Sequence, residues 1–297
     1  VLALEVEEEL NRLLRSEKFD TEESKKFYED LQKDLEFGVF CTLVGDIRKY
    51  KTPDEDWGVA EKRRSEEIDA LVEKTIEADL DLWSKRLKEY TKPMQGGVID
   101  EWQYASLREF IARLTRVKPK IASLLFERAI KENSSLASLE FVTTFLSALR
   151  HSNFVSIWDK FVQKITKERR GNLISSIVYS LNILNEQTLS DIRRKDIEIL
   201  SKITHSRRPF NYGKKDDFKL RHSLIGTLSR LYAKAPRVFE ILIIKEISGN
   251  PNSTHIYFSD LPFASHRKWM NLNTWSAKGK EFIANELVKV RSLDWHT

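Results

Sequence analysis

One early segment of mixed charge comes nearest to a catalytic arrangement. Pro53-Asp54 is followed by Glu61-Lys62-Arg63. Metal-dependent phosphodiester hydrolysis needs carboxylates that converge on an ion and a lysine near the attacked phosphate. The spacing here is short, arginine occupies the last position, and acidic side chains are stabilised at a helix start by the helix dipole. We therefore interpret these residues as a helix start and not as a nuclease site.

The spacing of histidine and cysteine in the sequence does not match a metal-binding motif. Cys41 is the single cysteine, and the histidines at 151, 205, 222, 255, 266 and 296 include no His-x-x-x-His pair. The sequence contains no Gly-x-Ser-x-Gly elbow and no Gly-rich phosphate-binding motif, although a Ser-His-Asp triad can assemble from distant residues. We predict a protein that is not an enzyme and takes no cofactor, metal or small-molecule ligand. The alternative, an enzyme, needs Asp54, Glu61 and a histidine in one pocket.

Basic clusters recur at the predicted ends of helical hairpins. If these ends stack along one edge, the cations form a ridge that contacts phosphates, with Phe210 and Tyr212 as stacking surfaces. Nearby aspartates such as Asp191 and Asp216 favour instead a solvated edge with no ligand. The candidate nucleic-acid-binding residues are Arg169, Arg170, Arg193, Arg194, Lys195, Arg207, Arg208, Lys214 and Lys215.

A long aromatic segment over 249–278 is the candidate site for a protein partner. Large rigid aromatics and arginine dominate the energetics of protein interfaces. The candidate contact residues are Phe258, Arg267, Trp269 and Trp275. This prediction requires that their side chains face a partner and do not belong to the core.

Composition indicates a folded, helical chain. The 297 residues are 41% hydrophobic and 32% charged, which supplies a substantial core. The 10 glycines and 7 prolines are roughly half of their usual combined share of about 12%, which disfavours turn-rich β-sandwiches. We predict an all-α protein.

Charge is distributed unevenly along the chain. The formal net charge is +5, but residues 1–100 carry −9 and residues 101–297 carry +14. A basic half attracts nucleic acid or acidic proteins. The N-terminus is acidic and lacks a signal-peptide pattern, and no apolar run of 18 residues occurs. With one cysteine, we predict a cytoplasmic protein without membrane contact, and we interpret the sequence as a segment of a longer chain.

Hydrophobic spacing predicts helices in the first third. Two amphipathic helices are predicted over 4–36, and the apolar stretch 37–45 favours a buried helix over a strand, because no partner strand is visible. A long helix is predicted from Trp57 to Tyr90, with Ile68, Ile76 and Trp83 among its apolar positions. Lys92-Pro93-Met94-Gln95-Gly96-Gly97 breaks it, and this break is the predicted segment boundary.

An internal repeat follows this break. Residues 106–133 align without gaps onto residues 223–250, with Pro119 on Pro236. Proline has a fixed φ and no N–H, so it suits the first turn of a helix. Each copy therefore predicts a helix, a short turn and a second helix that begins at the proline. Two further hairpins fit between the copies, and a final helix is predicted near 282–290.

The predicted hairpins start near 101, 137, 172 and 219, a spacing typical of helical repeat arrays. In this respect residues 101–250 resemble the α-solenoids of the HEAT, armadillo and tetratricopeptide classes, although no family-specific residue pattern is present. The resemblance implies a curved scaffold or a recognition arm of a larger protein.

We therefore predict an irregular α-solenoid with three segments. These are an acidic helical segment at 1–97, a repeat array at 98–250, and an aromatic loop with a terminal helix at 251–297. The predicted function is a non-enzymatic scaffold or recognition module that binds a protein partner. The alternative is a nucleic-acid-binding α-solenoid that uses the basic ridge.

Overall fold

The computed structural model describes residues 26, 30, 34–44, 56–95, 104–168, 171–182, 193–204, 236–249 and 275–293. All regular elements in these ranges are helices, which confirms the all-α prediction. The chain forms two compact units, Val1–Ile157 and Trp158–Thr297. Helices on both sides of residue 97 pack together in the first unit.

The first unit contains six α-helices among its described residues. They are α1 (Leu35–Leu43), α2 (Trp57–Lys74), α3 (Leu80–Gln95), α4 (Ala105–Val117), α5 (Pro119–Glu132) and α6 (Leu139–His151), with short 3-10 turns at Glu77–Asp79 and Ser135–Ala137. The two helices predicted over 4–36 lie almost wholly outside the described residues.

Packing in the first unit follows a regular pattern. Helices α2, α4 and α6 pack side by side, α3 packs beside α5, and α1 covers α2 and α4. Aromatic pairs fill the spaces between helices, because large rings bury much apolar area and prefer offset or edge contacts. Trp83 stacks on Phe110 at 4.9 Å between ring centroids, and Phe126 stacks on Phe145 at 4.4 Å.

The apolar stretch 37–45 forms a helix, as predicted. Helix α1 runs over Leu35–Leu43, and the Asp34 side chain accepts a hydrogen bond from the backbone N–H of Phe37 at 2.8 Å. This contact satisfies one of the free N–H groups of the first turn. Val39, Cys41 and Leu43 are buried. The helix therefore contributes an apolar face to the core.

The single long helix predicted from Trp57 to Tyr90 is wrong. Helix α2 ends at Lys74, and Thr75 and Ile76 are extended before the chain turns into α3. The Thr75 hydroxyl donates to the Leu71 carbonyl at 2.7 Å. Lys118, from the turn between α4 and α5, donates from Nζ to the carbonyl oxygens of Glu73 and Thr75. These bonds satisfy carbonyls that a continuous helix would pair internally, and Ile76 is 52% exposed.

Both aligned prolines begin helices, as predicted. Helix α5 starts at Pro119 and α10, over Pro236–Gly249, starts at Pro236. Helix α5 ends at Asn133, whose φ of 52° and ψ of 40° place it in the left-handed region. Asparagine tolerates this conformation better than most residues, which explains the abrupt stop. The first helix of the second copy lies outside the described residues.

The second unit contains the remaining described helices. They are α7 (Val155–Glu168, in this unit from Trp158 onward), α8 (Gly171–Asn182), α9 (Arg194–Thr204), α10 and α11 (Ala277–Leu293). Residues 173–178 of α8 are all buried, so this helix is covered on every side. Helix α9 packs on α10, and α10 packs on α11. Among the described helices, none combines the length and apolarity that a membrane crossing requires.

Candidate functional site

Arg193 is the centre of a charged cluster that links α7 to α9. Its Nη1 and Nη2 donate to the two carboxylate oxygens of Asp159 at 3.1 and 2.7 Å. Nη2 also donates to Asp196 at 2.8 Å, and the guanidinium lies 5.5 Å from the ring centroid of Trp158. The planar fork of arginine allows this two-point contact with a carboxylate. Arg193 therefore joins two helices of the second unit.

The sequence near Arg193 explains why the cluster forms. Arg193 directly precedes α9, and Asp196 is the third residue of that helix. Asp196 accepts a hydrogen bond from the Arg193 backbone N–H at 3.0 Å, which is the reciprocal half of a capping box. Its side chain has no exposed surface. Asp196 is therefore a helix-capping residue, and the Arg193 guanidinium compensates its buried charge.

The electrostatics of the cluster favour the charged forms of Asp159 and Arg193. Hydrogen bonding to Arg193 lowers the pKa of Asp159 below its ordinary value, and partial burial opposes this shift. Burial acts to lower the pKa of Arg193, but hydrogen bonds to Asp159 and Asp196 outweigh burial and raise that pKa. The ion pair therefore persists from mildly acidic to alkaline pH.

The other predicted nucleic-acid-binding residues have different surroundings. Arg194 is 95% exposed and contacts Glu198 at 3.4 Å, while Lys195 is 70% exposed and contacts Asp159 at 3.4 Å. These two side chains face solvent, whereas Arg193 does not present a free guanidinium. Six predicted residues lie outside the described residues: Arg169, Arg170, Arg207, Arg208, Lys214 and Lys215.

Three lysines that the sequence-based candidate set omits lie beside Arg194 and Lys195. Lys160 and Lys164 are on α7, and Lys202 is on α9; Lys160 and Lys202 are exposed and Lys164 is partly exposed. The sequence feature that predicts this surface is the spacing of Lys160, Lys164 and Lys167, because residues four and seven apart share a helix face. Clusters of adjacent basic residues predict a positive edge at the hairpin ends instead.

Trp275, a predicted protein contact, lies inside the second unit. Its side chain is 4% exposed, and its ring meets Phe239 edge to face at 5.8 Å between centroids. The next residue, Ser276, donates from its backbone N–H and hydroxyl to the Glu240 carboxylate. In this structure Trp275 therefore anchors α11 to α10. Phe258, Arg267 and Trp269 lie outside the described residues.

Arg113 and Arg86 of the first unit also serve the fold. Arg113 on α4 donates to the backbone carbonyl and hydroxyl oxygens of Ser65 at 2.9 and 2.6 Å and pairs with Asp69 at 2.7 Å. Arg86 binds Glu36 with two hydrogen bonds and lies over the Trp83 ring. These contacts join α4 to α2 and α3 to α1. Neither guanidinium is available for a ligand.

Metal-binding and catalytic groupings are not formed by the described part of the chain. No group of three or more His, Cys, Asp or Glu side chains there is arranged to hold a metal ion. Glu61 is exposed on α2, beyond the first turn of that helix, and Asp54 lies outside the described residues. Exposed leucines lie on α3 and α5, and exposed basic side chains lie on α7 and α9.

The chain matches no protein-family model, no curated protein and no solved structure.

Proposed function

We propose that this chain is a non-enzymatic helical-repeat scaffold that binds a protein partner. The observation that carries the proposal is the packing order of the first unit. Helices α2, α4 and α6 alternate along the chain with α3 and α5; the first three pack side by side, and α3 and α5 pack beside each other. This order is the one by which repeat arrays bury the apolar stripes of each hairpin against its neighbours.

The contact surface that we favour is the outer face of α3 and α5, called here the α3–α5 face. It contains Leu82 and Leu124, which are 42% and 41% exposed. The ion pair between Asp81 and Arg128 bridges the two helices. Leu124 lies one helical turn before Arg128 and so shares its side of α5, and Leu82 is the exposed residue next to Asp81 on α3.

This face has the composition of a protein-binding surface. A second ion pair, between Lys88 and Glu132 at 3.6 Å, also bridges α3 and α5. Protein interfaces combine an apolar centre with a polar rim. The charges on this face are largely paired within it, so the exposed leucines supply the net attraction for a partner.

Affinity capture with variants of this face tests the proposal. The Leu82→Asp/Leu124→Asp variant places charges at the apolar positions, and quantitative mass spectrometry compares its captured proteins with those of wild type from a nuclease-treated lysate. We expect a protein that wild type captures to be lost by more than about tenfold, since interface anchors contribute about 1 kcal/mol or more each.

A matched control uses exposed apolar residues elsewhere in the first unit. Leu35 and Val59 are 72% and 46% exposed and lie in the first turns of α1 and α2, where aspartate is well tolerated. The Leu35→Asp/Val59→Asp variant should capture the same partner as wild type. Equal capture by all three proteins, with unchanged helical circular dichroism, would overturn the assignment of the α3–α5 face.

A further inference from the structure

The outward side of α7 in the second unit is a row of lysines. Lys160, Lys164 and Lys167 are four and three residues apart, so they share one side of the helix. The opposite side is fully apolar and buried; it consists of Trp158, Phe161, Val162 and Ile165. Packing therefore fixes the rotation of α7 and directs the three lysines outward.

Helix α9 extends this positive surface. Arg194, Lys195 and Lys202 are all exposed on α9. Asp159 on α7 binds Arg193 and Lys195, and this contact holds the start of α9 against α7. We call the surface formed by these cations the α7–α9 basic face; it comprises Lys160, Lys164, Lys167, Arg194, Lys195 and Lys202.

Charge compensation on this face is incomplete. Glu198 pairs with Arg194, and Asp159 is shared between Arg193 and Lys195. Lys160, Lys164, Lys167 and Lys202 form no ion pair with any other side chain that the structure describes. Four lysines without an ion pair to a described side chain therefore remain on two adjacent helices.

Helix α3 of the first unit shows that three outward lysines do not by themselves give a positive surface. Helix α3 also carries three outward lysines, Lys85, Lys88 and Lys92. There Lys88 pairs with Glu132 and Lys92 pairs with Glu89 at 2.6 Å. The same number of lysines thus gives a mixed surface on α3 and a positive surface on α7.

We propose that the α7–α9 basic face binds the phosphate backbone of a nucleic acid. Lys167 lies seven positions after Lys160, a rise of about 10 Å along the helix axis, which equals about three phosphate intervals of one strand at roughly 3.4 Å each along a duplex axis. Lysine ammonium groups act as point charges on phosphates without reading bases. Binding is therefore independent of sequence.

Two features favour phosphate backbone over an acidic protein segment. Protein segments are held by apolar anchors at the centre of the contact. The large apolar side chains that the structure shows as exposed include none on α7 or α9. The cations are also spread along two helices and do not converge on one point, so an extended polyanion fits them better than a single phosphate group.

Fluorescence anisotropy with the full 297-residue chain tests this proposal. The probes are a labelled single-stranded RNA and a labelled DNA duplex of mixed sequence, about 20 nucleotides long to exceed one binding site. Wild type is compared with Lys160→Glu/Lys164→Glu/Lys167→Glu across about 50 to 200 mM salt. We expect at least about tenfold weaker binding for the variant and a salt slope shallower by roughly 2.

The control is Lys85→Glu/Lys88→Glu/Lys92→Glu, which makes the same change in net charge at a similar helical spacing. It should bind within about threefold of wild type, because the affinity depends on local phosphate contacts. Equal weakening by both variants would overturn the proposal, since net charge alone would then explain it. The proposal would also be overturned if wild type binds neither the RNA nor the DNA probe, or if it binds only polyglutamate, used as a third probe.

If charge reversal disturbs folding, a second variant that only removes the charges takes its place in the test. Lys160→Gln/Lys164→Gln/Lys167→Gln removes the charges without adding repulsion, and circular dichroism checks that its helices are intact. We expect it to lose affinity in the same direction with a smaller change in salt slope. Because the two α7 variants do not alter the α3–α5 face, loss of nucleic-acid binding in them and loss of a protein partner are separate outcomes.

Discussion

Gly279 and Glu240 approach each other so closely that a β-carbon at position 279 would overlap the Glu240 carboxylate. Glu240 lies on α10 with 6% of its side chain exposed. It accepts hydrogen bonds from Ser276, and the Ser276 hydroxyl oxygen accepts one from the Gly279 backbone N–H at 3.0 Å. The first turn of α11 is therefore built against a buried carboxylate, and glycine provides the space.

Replacement of Gly279 by alanine should destabilise the second unit. The added methyl group must displace Glu240 from its hydrogen bonds with Ser276, and overpacking of this kind costs about 1–3 kcal/mol. Urea unfolding followed by circular dichroism measures the change. Gly38→Ala on α1 is the control, because no atom lies within 4 Å of its β-carbon position. That variant should be neutral or more stable by up to about 1 kcal/mol, and an equal loss in both variants would contradict the steric explanation.

Arg193 and the adjacent Arg194 should differ sharply in their contribution to stability. Arg193→Met leaves the Asp196 carboxylate, which has no exposed surface, without its compensating charge. We expect a loss on the order of 2–3 kcal/mol in the free energy of unfolding. Arg194→Met removes only an exposed contact with Glu198 and should change that free energy by less than about 0.5 kcal/mol. Similar losses in the two variants would argue against the role of Arg193 as the link between α7 and α9.

The Asp159 ion pair predicts a specific dependence of stability on pH. Its pKa is lowered in the folded state, so the folded protein binds fewer protons than the unfolded chain near the ordinary aspartate pKa of about 3.9. The stabilisation is present above that value and is lost as pH falls through the lower folded pKa. Asp159→Asn should be less stable at neutral pH and should lose less stability than wild type on acidification.

Urea unfolding at several pH values from neutral to about pH 3 measures this difference. An Arg193→Met/Asp159→Asn double variant is the matched test of coupling. In the Arg193→Met background, Asp159→Asn should flatten the pH profile much less than it does in wild type. If the flattening is the same in both backgrounds, Arg193 is not the main cause of the lowered pKa of Asp159.

Lys118 should stabilise the end of α2 from a distance in sequence. Its Nζ lies 3.0 Å from the Thr75 carbonyl oxygen and also contacts the Glu73 carbonyl oxygen. A cation at a helix C-terminus that also donates hydrogen bonds contributes about 1 kcal/mol. Lys118→Met should lose about that amount and should speed hydrogen exchange in the last turn of α2. Lys120→Met, at an exposed lysine two residues later, should change neither measurement.

Local patterns in the sequence predict several elements but not the break between α2 and α3. Proline at a helix start is a local signal, so the beginnings of α5 and α10 follow from Pro119 and Pro236. The break at Thr75 is different, because the apolar spacing runs through it and Ile76 fits a buried position by pattern alone. The contact that stabilises the break comes from Lys118, more than forty residues later, and spacing carries no signal of it.

Long-range contacts also decide which of the predicted site residues are exposed. A run of basic residues at 193–195 predicts a positive edge, and Arg194 and Lys195 are exposed. The Arg193 guanidinium is instead bound by Asp159, which lies 34 residues earlier in the sequence. Trp275 is buried against Phe239 although aromatic content alone is equally typical of an interface and of a core. Burial depends on which helices meet, and composition does not contain this information.

The buried position of Cys41 gives the chain a natural chemical reporter. Cys41 is the only cysteine, and its side chain is 5% exposed on α1, which packs on α2 and α4. A thiol reagent reaches the sulfur only when α1 separates from those helices. When closing is faster than labelling, the labelling rate relative to a free thiol gives the equilibrium constant for this local opening. The free energy of detaching one helix can therefore be measured in the unmodified sequence, without an introduced probe.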